Sequence, residues 1–221
     1  MGGLTEIRER MMAAAGRAGR DPAAIRLVAV TKTATPEAIV AAYRGGQRDF
    51  GENRADRLAA GAALLPDARW HMIGRLQGNK VRVVRKATAL LHSLDRPELV
   101  EYWAAGDAVP PPVLIQVNVG EDPKKAGVAV GAAGRLADLA VDRGLEVRGL
   151  MTIPPLTPDP EDARVHFRAL AGLRDRLREA HPTLVDLSMG MTDDFEVAIE
   201  EGATLLRVGR AIFGEFEENR G

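Results

Sequence analysis

The chain contains no cysteine. That single absence excludes disulfides, thiolate nucleophiles and cysteine-ligated metal centres. Aromatic residues are only 4 % of the sequence, too few for the stacking platform of a protein that grips single-stranded nucleic acid. An excess of one charge is missing too. The formal net charge is −1, with acids and bases interspersed, so there is no basic field for a phosphate backbone. The four histidines, His71, His92, His166 and His181, are scattered without the His-x-x-x-His or Glu-x-x-His spacing of metal ligands. No stretch approaches the roughly 18 apolar residues of a membrane span. The first twenty residues carry Glu6, Arg8, Glu9, Arg10 and Arg17 where a signal peptide would need an apolar centre. A cytoplasmic protein with neither membrane nor nucleic-acid partner is expected.

What is present suits one domain spanning residues 1–221, with a 46 % hydrophobic fraction that can bury a real core. Lysine, by contrast, is rare. Of the 30 Lys and Arg residues only five are lysines: Lys32, Lys80, Lys86, Lys124 and Lys125. Lys32 follows the apolar run that ends in Leu27-Val-Ala-Val-Thr-Lys-Thr33. A lysine delivered from a buried strand into a pocket is what an imine-forming protein needs. Burial disfavours the ammonium and frees the amine to attack an aldehyde, which an arginine could not do. The segment alone leaves open that Lys32 merely caps the strand in solvent.

Short apolar runs at 26–30, 49–51, 70–73, 90–94, 113–117, 146–151, 185–188 and 205–208 read as strands. They alternate with helical patterns beginning near Pro36, Asn53, Asn79, Pro97, Gly127, Pro160, Asp193 and Ala211, and an amphipathic helix over residues 4–17 precedes them all. Thr35 before Pro36 is a natural cap with proline in the first turn. Eight strands, eight following helices and no long linker predict an α/β fold of the (β/α)8 TIM-barrel class with an extra N-terminal helix. An open doubly wound sheet is the alternative, but no Gly-x-Gly-x-x-Gly follows the first strand.

A barrel demands that chemistry gather where strands end. Lys32, Glu52, Asn53, His71, Ser93, Asn118, Thr152, Ser188, Gly209 and Arg210 fall there. Two of these ends look made for an anion: Leu187-Ser-Met-Gly-Met-Thr-Asp-Asp194 and Arg207-Val-Gly-Arg-Ala211. Barrels bind phosphate between the loops after strands seven and eight, with glycines admitting close backbone approach and hydroxyls adding donors. Arg210 could add charge or point to solvent. Asp193 and Asp194 read as first-turn acids of a helix capped near Thr192, and Met189 and Met191 as packing.

Taken together, these segments resemble the pyridoxal phosphate homeostasis proteins, single-domain relatives of the alanine racemase barrel. The further matches are Asp49-Phe-Gly-Glu-Asn53, Trp70-His-Met-Ile-Gly-Arg-Leu-Gln-Gly-Asn-Lys80, Val113-Leu-Ile-Gln-Val-Asn118 and Arg148-Gly-Leu-Met-Thr-Ile-Pro154, in the family's order along nearly the whole chain. The resemblance implies a fold-type III barrel binding pyridoxal 5′-phosphate (PLP). Lys32 would hold it as a Schiff base and Arg207 would face the pyridine nitrogen. Ser188, Gly209, Arg210 and Thr192 would hold the phosphate; Asn53, His71 and Met151 would line the cofactor. Three departures stand out: Thr31 where many members have Ser, Gly78 where many have Ser, and Arg210 where many have Thr.

An arginine at the pyridine nitrogen keeps that nitrogen unprotonated, so the ring is a poor electron sink for carbanions. This disfavours transamination and leaves two readings. One is a carrier that buffers PLP and passes it transiently to PLP-dependent apoenzymes. The other is an amino acid racemase, which needs a second base besides the lysine. In racemases of this fold that base is a tyrosine from an additional C-terminal domain. Here the tyrosines are Tyr43 and Tyr102, both in predicted helices, and only residues 215–221 follow the last element. A carrier acting as a monomer is therefore expected; His71 is the one residue near the pocket that could substitute as a base, and a ring-stacking or hydrogen-bonding role suits it better. A phosphate-binding barrel without PLP would use Lys32 as an ion-pair partner instead.

Overall fold

In the computed structural model, which describes residues 2–214, eight parallel strands close into a barrel in sequence order. They are β1 (Arg26–Val30), β2 (Asp49–Glu52), β3 (Arg69–Met72), β4 (Leu90–Leu94), β5 (Val113–Gln116), β6 (Val147–Met151), β7 (Asp186–Ser188) and β8 (Leu205–Val208). Strand β8 pairs with β1, which closes the ring. The TIM-barrel expectation holds, and β1, β4 and β8 have the bounds read from the sequence. The other strands shift by a residue or so, because residues such as Val117 and Ile73 pack with the same burial just beyond the last ladder bond. The tail of residues 215–221 lies outside the described residues.

The helices are α1 (Gly2–Arg17), α2 (Pro36–Arg44), α3 (Ala55–Leu64), α4 (Val81–Ala87), α5 (Pro97–Ala104), α6 (Ala133–Asp142), α7 (Arg164–Leu177), α8 (Phe195–Glu200) and α9 (Arg210–Phe213). The expected starts near Asn79 and Pro160 are occupied by short 3-10 turns at Gly78–Lys80 and Pro160–Ala163 that lead into α4 and α7, while the start expected near Gly127 comes later, in a 3-10 turn at Val130–Ala132 that leads into α6. The cap at Thr35 is real: its hydroxyl accepts from the Ala38 N–H at 3.3 Å. Thr35→Ala should cost about 1 kcal/mol, a loss readable as a lower urea midpoint at an unchanged slope.

Two apolar layers follow from the strand period of two. The outer one, between strands and helices, includes Leu27, Phe50, Trp70, Leu91, Ile115 and Leu150, with Leu4, Ile7, Met11 and Ala14 of α1. The inner one is the small cluster Val28, Leu90, Leu114, Met151 and Leu205. The register fixes which residues share that inner face: Val28 opposite Asp49 and Arg207, Gly51 opposite His71, Met151 opposite Ser188. The barrel interior is therefore partly charged, which organises the site. No helix of the described residues is long and apolar enough to cross a membrane.

Candidate functional site

Strand β1 ends at Val30, and Thr31 turns back into the wall. Its hydroxyl donates to the Glu52 carboxylate at 2.7 Å and reaches the Gly51 carbonyl at 3.2 Å. Lys32 is the next residue and stands exposed at the C-terminal rim. This corrects the expectation that burial frees its amine: the chain buries Thr31 and turns Lys32 outward. Arg57 fastens the turn. Its guanidinium donates to the carbonyls of Lys32 at 2.7 Å, Thr31 at 3.0 Å and Ala34 at 3.1 Å, and its Nε lies 3.3 Å from Glu52 Oε1. Glu52 in turn accepts from the Asn53 N–H at 3.1 Å. One carboxylate and one guanidinium thus set the backbone of both Lys32 and Asn53. Among the described residues no ion pair includes Lys32.

Across the β1–β8 seam, Gly209 lies against the end of β1. A Cβ there would stand 3.0 Å from the Val30 carbonyl oxygen and 3.2 Å from the Val30 Cβ. Gly190, at φ +90, packs where a Cβ would come within 2.6 Å of Ala198. The two glycine loops are therefore drawn close to the barrel mouth. Arg210 bridges them, its Nη2 at 2.5 Å from Asp193 Oδ2. The cap before α8 differs from the sequence reading. Asp194, not Thr192, holds the cap position, and its carboxylate accepts from the Met191 N–H at 2.6 Å. Burial pushes the Asp194 carboxyl above its ordinary value, while the Met191 N–H and the Arg207 charge oppose the rise. The amides of Thr192, Asp193 and Ala211 donate to nothing among the described residues.

Inside the mouth lies Arg207, 5 % exposed. Its Nη1 donates to Ser188 Oγ at 2.5 Å and its Nη2 to the Thr152 carbonyl at 2.7 Å. Burial pushes its pKa down to about 10, with the Asp194 charge opposing, so it remains a cation at neutral pH. Ser188 and Met151 are fully buried, and His71 is 1 % exposed. The structure thus brings Lys32, Asn53, Thr192, Gly209 and Arg210 to the rim. It sets His71, Met151, Ser188 and Arg207 below it, as floor and interior. His71 is not placed as a second base: both ring nitrogens are engaged, by Asp49 at 3.0 Å and His92 at 2.9 Å.

A cavity of about 760 Å³ opens beside Asn53, lined also by Met72, Gln77, Lys80 and Arg96. A smaller one of about 280 Å³ lies over the loops after β6 and β7, against Pro154, Met191 and Asp193. Gly78 has a steric reason. A Cβ there would meet the Tyr102 ring at 2.7 Å, so the ring of an outer helix occupies the space a serine would need. Sequence reasoning placed Glu52 at a strand end without giving it a role, and missed Arg57, Asp49 and His92. The last two carried a readable signal, a charge or imidazole on the inward face of a strand; Arg57, within a helix, carried none.

The described groups fit an aldehyde-bearing phosphate ligand. An exposed amine stands on a fixed turn, unpaired amides gather at the loops after β7 and β8, and two of the five donors of a buried arginine are used, which leaves others to meet a ring nitrogen.

Residues 4–216 match the family model described as alanine racemase, N-terminal domain. A pyridoxal phosphate homeostasis protein of Aquifex aeolicus is 43 % identical over 219 residues, 96 % of each chain. One from Escherichia coli is 37 % identical over 226 residues, 96 % of this chain and 94 % of the other. The structure of PipY of Synechococcus elongatus with PLP bound superposes at a TM-score of 0.79 with 34 % identity, covering 94 % of this chain and 100 % of that one.

Proposed function

Because this chain belongs to the family of the alanine racemase N-terminal domain, in its pyridoxal phosphate homeostasis branch, we propose that it binds PLP and serves in PLP homeostasis. PLP is held as a Schiff base on Lys32, buffered as a reactive aldehyde, and passed transiently to apoenzymes by a cytoplasmic monomer. Lys32 carries this reading: its amine stands at the rim on a turn fastened by three carbonyl bonds from Arg57. In its unprotonated form the amine attacks an aldehyde carbon, and water leaves as the imine forms. Thr192, Gly209 and the Arg210 backbone hold the phosphate, and Arg207 meets the ring nitrogen as a donor. Ser188 contributes through Arg207, since its hydroxyl already contacts Arg207 and His92. Asn53 lines the rim, while His71 and Met151 support the floor from inside the barrel.

The placement of the tyrosines favours a carrier over a racemase. Tyr43 lies at the end of α2 under the Arg48 guanidinium, 4.2 Å from its ring centre, and Tyr102 is exposed on α5. Neither is at the rim to exchange a proton opposite Lys32.

The test is the visible spectrum with added PLP, before and after borohydride, for the protein and for Lys32→Ala. We expect an imine band that borohydride abolishes and that is absent in Lys32→Ala. A protein with no band would refute PLP binding, and a band that survives in Lys32→Ala would move the Schiff base to another lysine. A racemase assay with alanine should show no rate above background.

A further inference from the structure

Six side chains form one hydrogen-bonded line through the barrel. Arg69, half exposed, holds Asp49 with its Nε at 2.8 Å and its Nη2 at 2.5 Å. His71 Nε2 lies 3.0 Å from Asp49 Oδ1, and His71 Nδ1 lies 2.9 Å from His92 Nε2. His92 Nδ1 lies 2.8 Å from Ser188 Oγ, which accepts from Arg207 Nη1 at 2.5 Å. Asp49, His71, His92, Ser188 and Arg207 are all buried.

The two ends dictate the protons between them. Arg207 can only donate, and an ionised Asp49 can only accept. Asp49 is ionised: burial works to raise its carboxyl, but the Arg69 and His71 contacts outweigh it and hold the group well below the carboxylate range. Burial pushes both histidines below the ordinary imidazole value, so each ring carries one N–H. Asp49 then requires the hydrogen of His71 on Nε2. His71 Nδ1 becomes an acceptor, so His92 also carries its hydrogen on Nε2. His92 Nδ1 is left to accept from the Ser188 hydroxyl, whose lone pair faces Arg207. Every hydrogen in the line points from Arg207 toward Asp49, and no other arrangement satisfies all the contacts.

We propose that Asp49 is a positioning residue for Arg207, acting through the tautomers of His71 and His92 so that Ser188 offers Arg207 a lone pair and never a proton. The Ser188 hydroxyl hydrogen is thereby committed to His92 and its lone pair to Arg207 Nη1, which fixes the orientation of the guanidinium and leaves its other N–H groups for the ring nitrogen of the ligand. This last step rests on the PLP reading above; the relay itself does not. Arg207 is thus linked to Asp49 through three neutral groups, in addition to the Asp194 charge that also acts on it.

Long-range 1H–15N correlation of the imidazole rings in the ligand-free protein tests the relay, with only four histidines contributing signals. We expect both His71 and His92 as Nε2–H tautomers. Asp49→Leu should switch both rings to Nδ1–H. Ser188→Ala, which cuts the line on the Arg207 side, should leave both as Nε2–H. A wild-type ring found as Nδ1–H or as imidazolium would overturn the relay, as would tautomers that switch in Ser188→Ala; this variant decides the matter even where Asp49→Leu does not fold. In PLP-loaded protein, Asp49→Leu should shift the pH midpoint of the imine band, and Asp49→Glu should restore it. An unmoved midpoint with switched tautomers would refute the positioning role. Absence of the band in wild type would refute PLP binding while leaving the tautomer result intact.

Discussion

Lowering the pH from 6.5 to 5 will weaken this fold steeply, and replacing His92 with glutamine will remove about half of that dependence. His71 and His92 sit inside the barrel, 1 % and 0 % exposed. Burial is the main reason that each ring is pushed below the ordinary imidazole value of 6.5. For His71 the Asp49 carboxylate partly opposes the shift; for His92 the charges of His71, Arg207 and Arg26 add to it. The unfolded chain binds these protons as pH falls through about 6.5, and the folded chain does not. Stability is therefore full above 6.5 and declines with each step toward the lower folded values. The slope is up to about 1.4 kcal/mol per pH unit for each ring, or about 3 for the pair. Asp49 works in a lower window: its depressed carboxyl contributes stability above about 4 that is lost only below it. Asp194, raised by burial, contributes with the opposite sign and blunts the loss. Urea unfolding at half-unit steps between pH 7 and 5, for the protein and for His92→Gln, isolates the histidine share as a difference in slope. Equal slopes would mean that His92 titrates in the barrel as it does in the unfolded chain.

Gly149→Ala will destabilise the protein by about 3 kcal/mol and lower its melting temperature by roughly 6–12 °C. Strand β6 shifts register against β5 between Val113 and Leu114, so that Val113 faces Val147 while Leu114 faces Gly149. On its other side Gly149 lies hard against β7, opposite Asp186. A Cβ at 149 would lie 1.9 Å from the Asp186 carbonyl oxygen and 2.6 Å from its carbonyl carbon. These are backbone atoms, so no side chain can swing aside, and one of the two strands must move. Asp186 resists that movement: Arg148 Nε at 3.3 Å and the Thr204 hydroxyl at 3.0 Å hold its carboxylate. Calorimetry of Gly149→Ala measures the cost directly. A melting point within a degree of the parent would show that β6 and β7 separate freely.

The strand pattern made the barrel legible. Runs such as Leu90-Leu-His-Ser-Leu94 are buried on both faces because a parallel strand in a barrel is covered on both sides. Thr35-Pro36 announced α2 by a cap whose chemistry is local. The rim was legible for the same reason: strand ends are loop starts, and Lys32, Asn53, Thr192, Gly209 and Arg210 are at the rim because their strands stop there. The cap before α8 was misjudged by two residues: Asp194 holds the cap position without a side-chain bond to the helix, its carboxylate turning back to the Met191 N–H, and only the path of the loop decides that.

The sequence by itself determined the fold class, the family, and the identity of the rim residues, since these depend on periodicity and on order along one chain. Only the tertiary structure decided what those residues touch. Lys32 is outward because Thr31 is drawn in by Glu52, which belongs to another strand. Arg57 fastens the Lys32 turn from 25 residues away. The line from Asp49 through His71 and His92 to Ser188 and Arg207 joins five residues of five strands. Its existence depends on register and barrel closure, which put distant strands face to face across a few ångströms. A hydrogen bond reads distance and angle to tenths of an ångström, and no pattern along the chain carries that information between strands that meet only when the barrel closes.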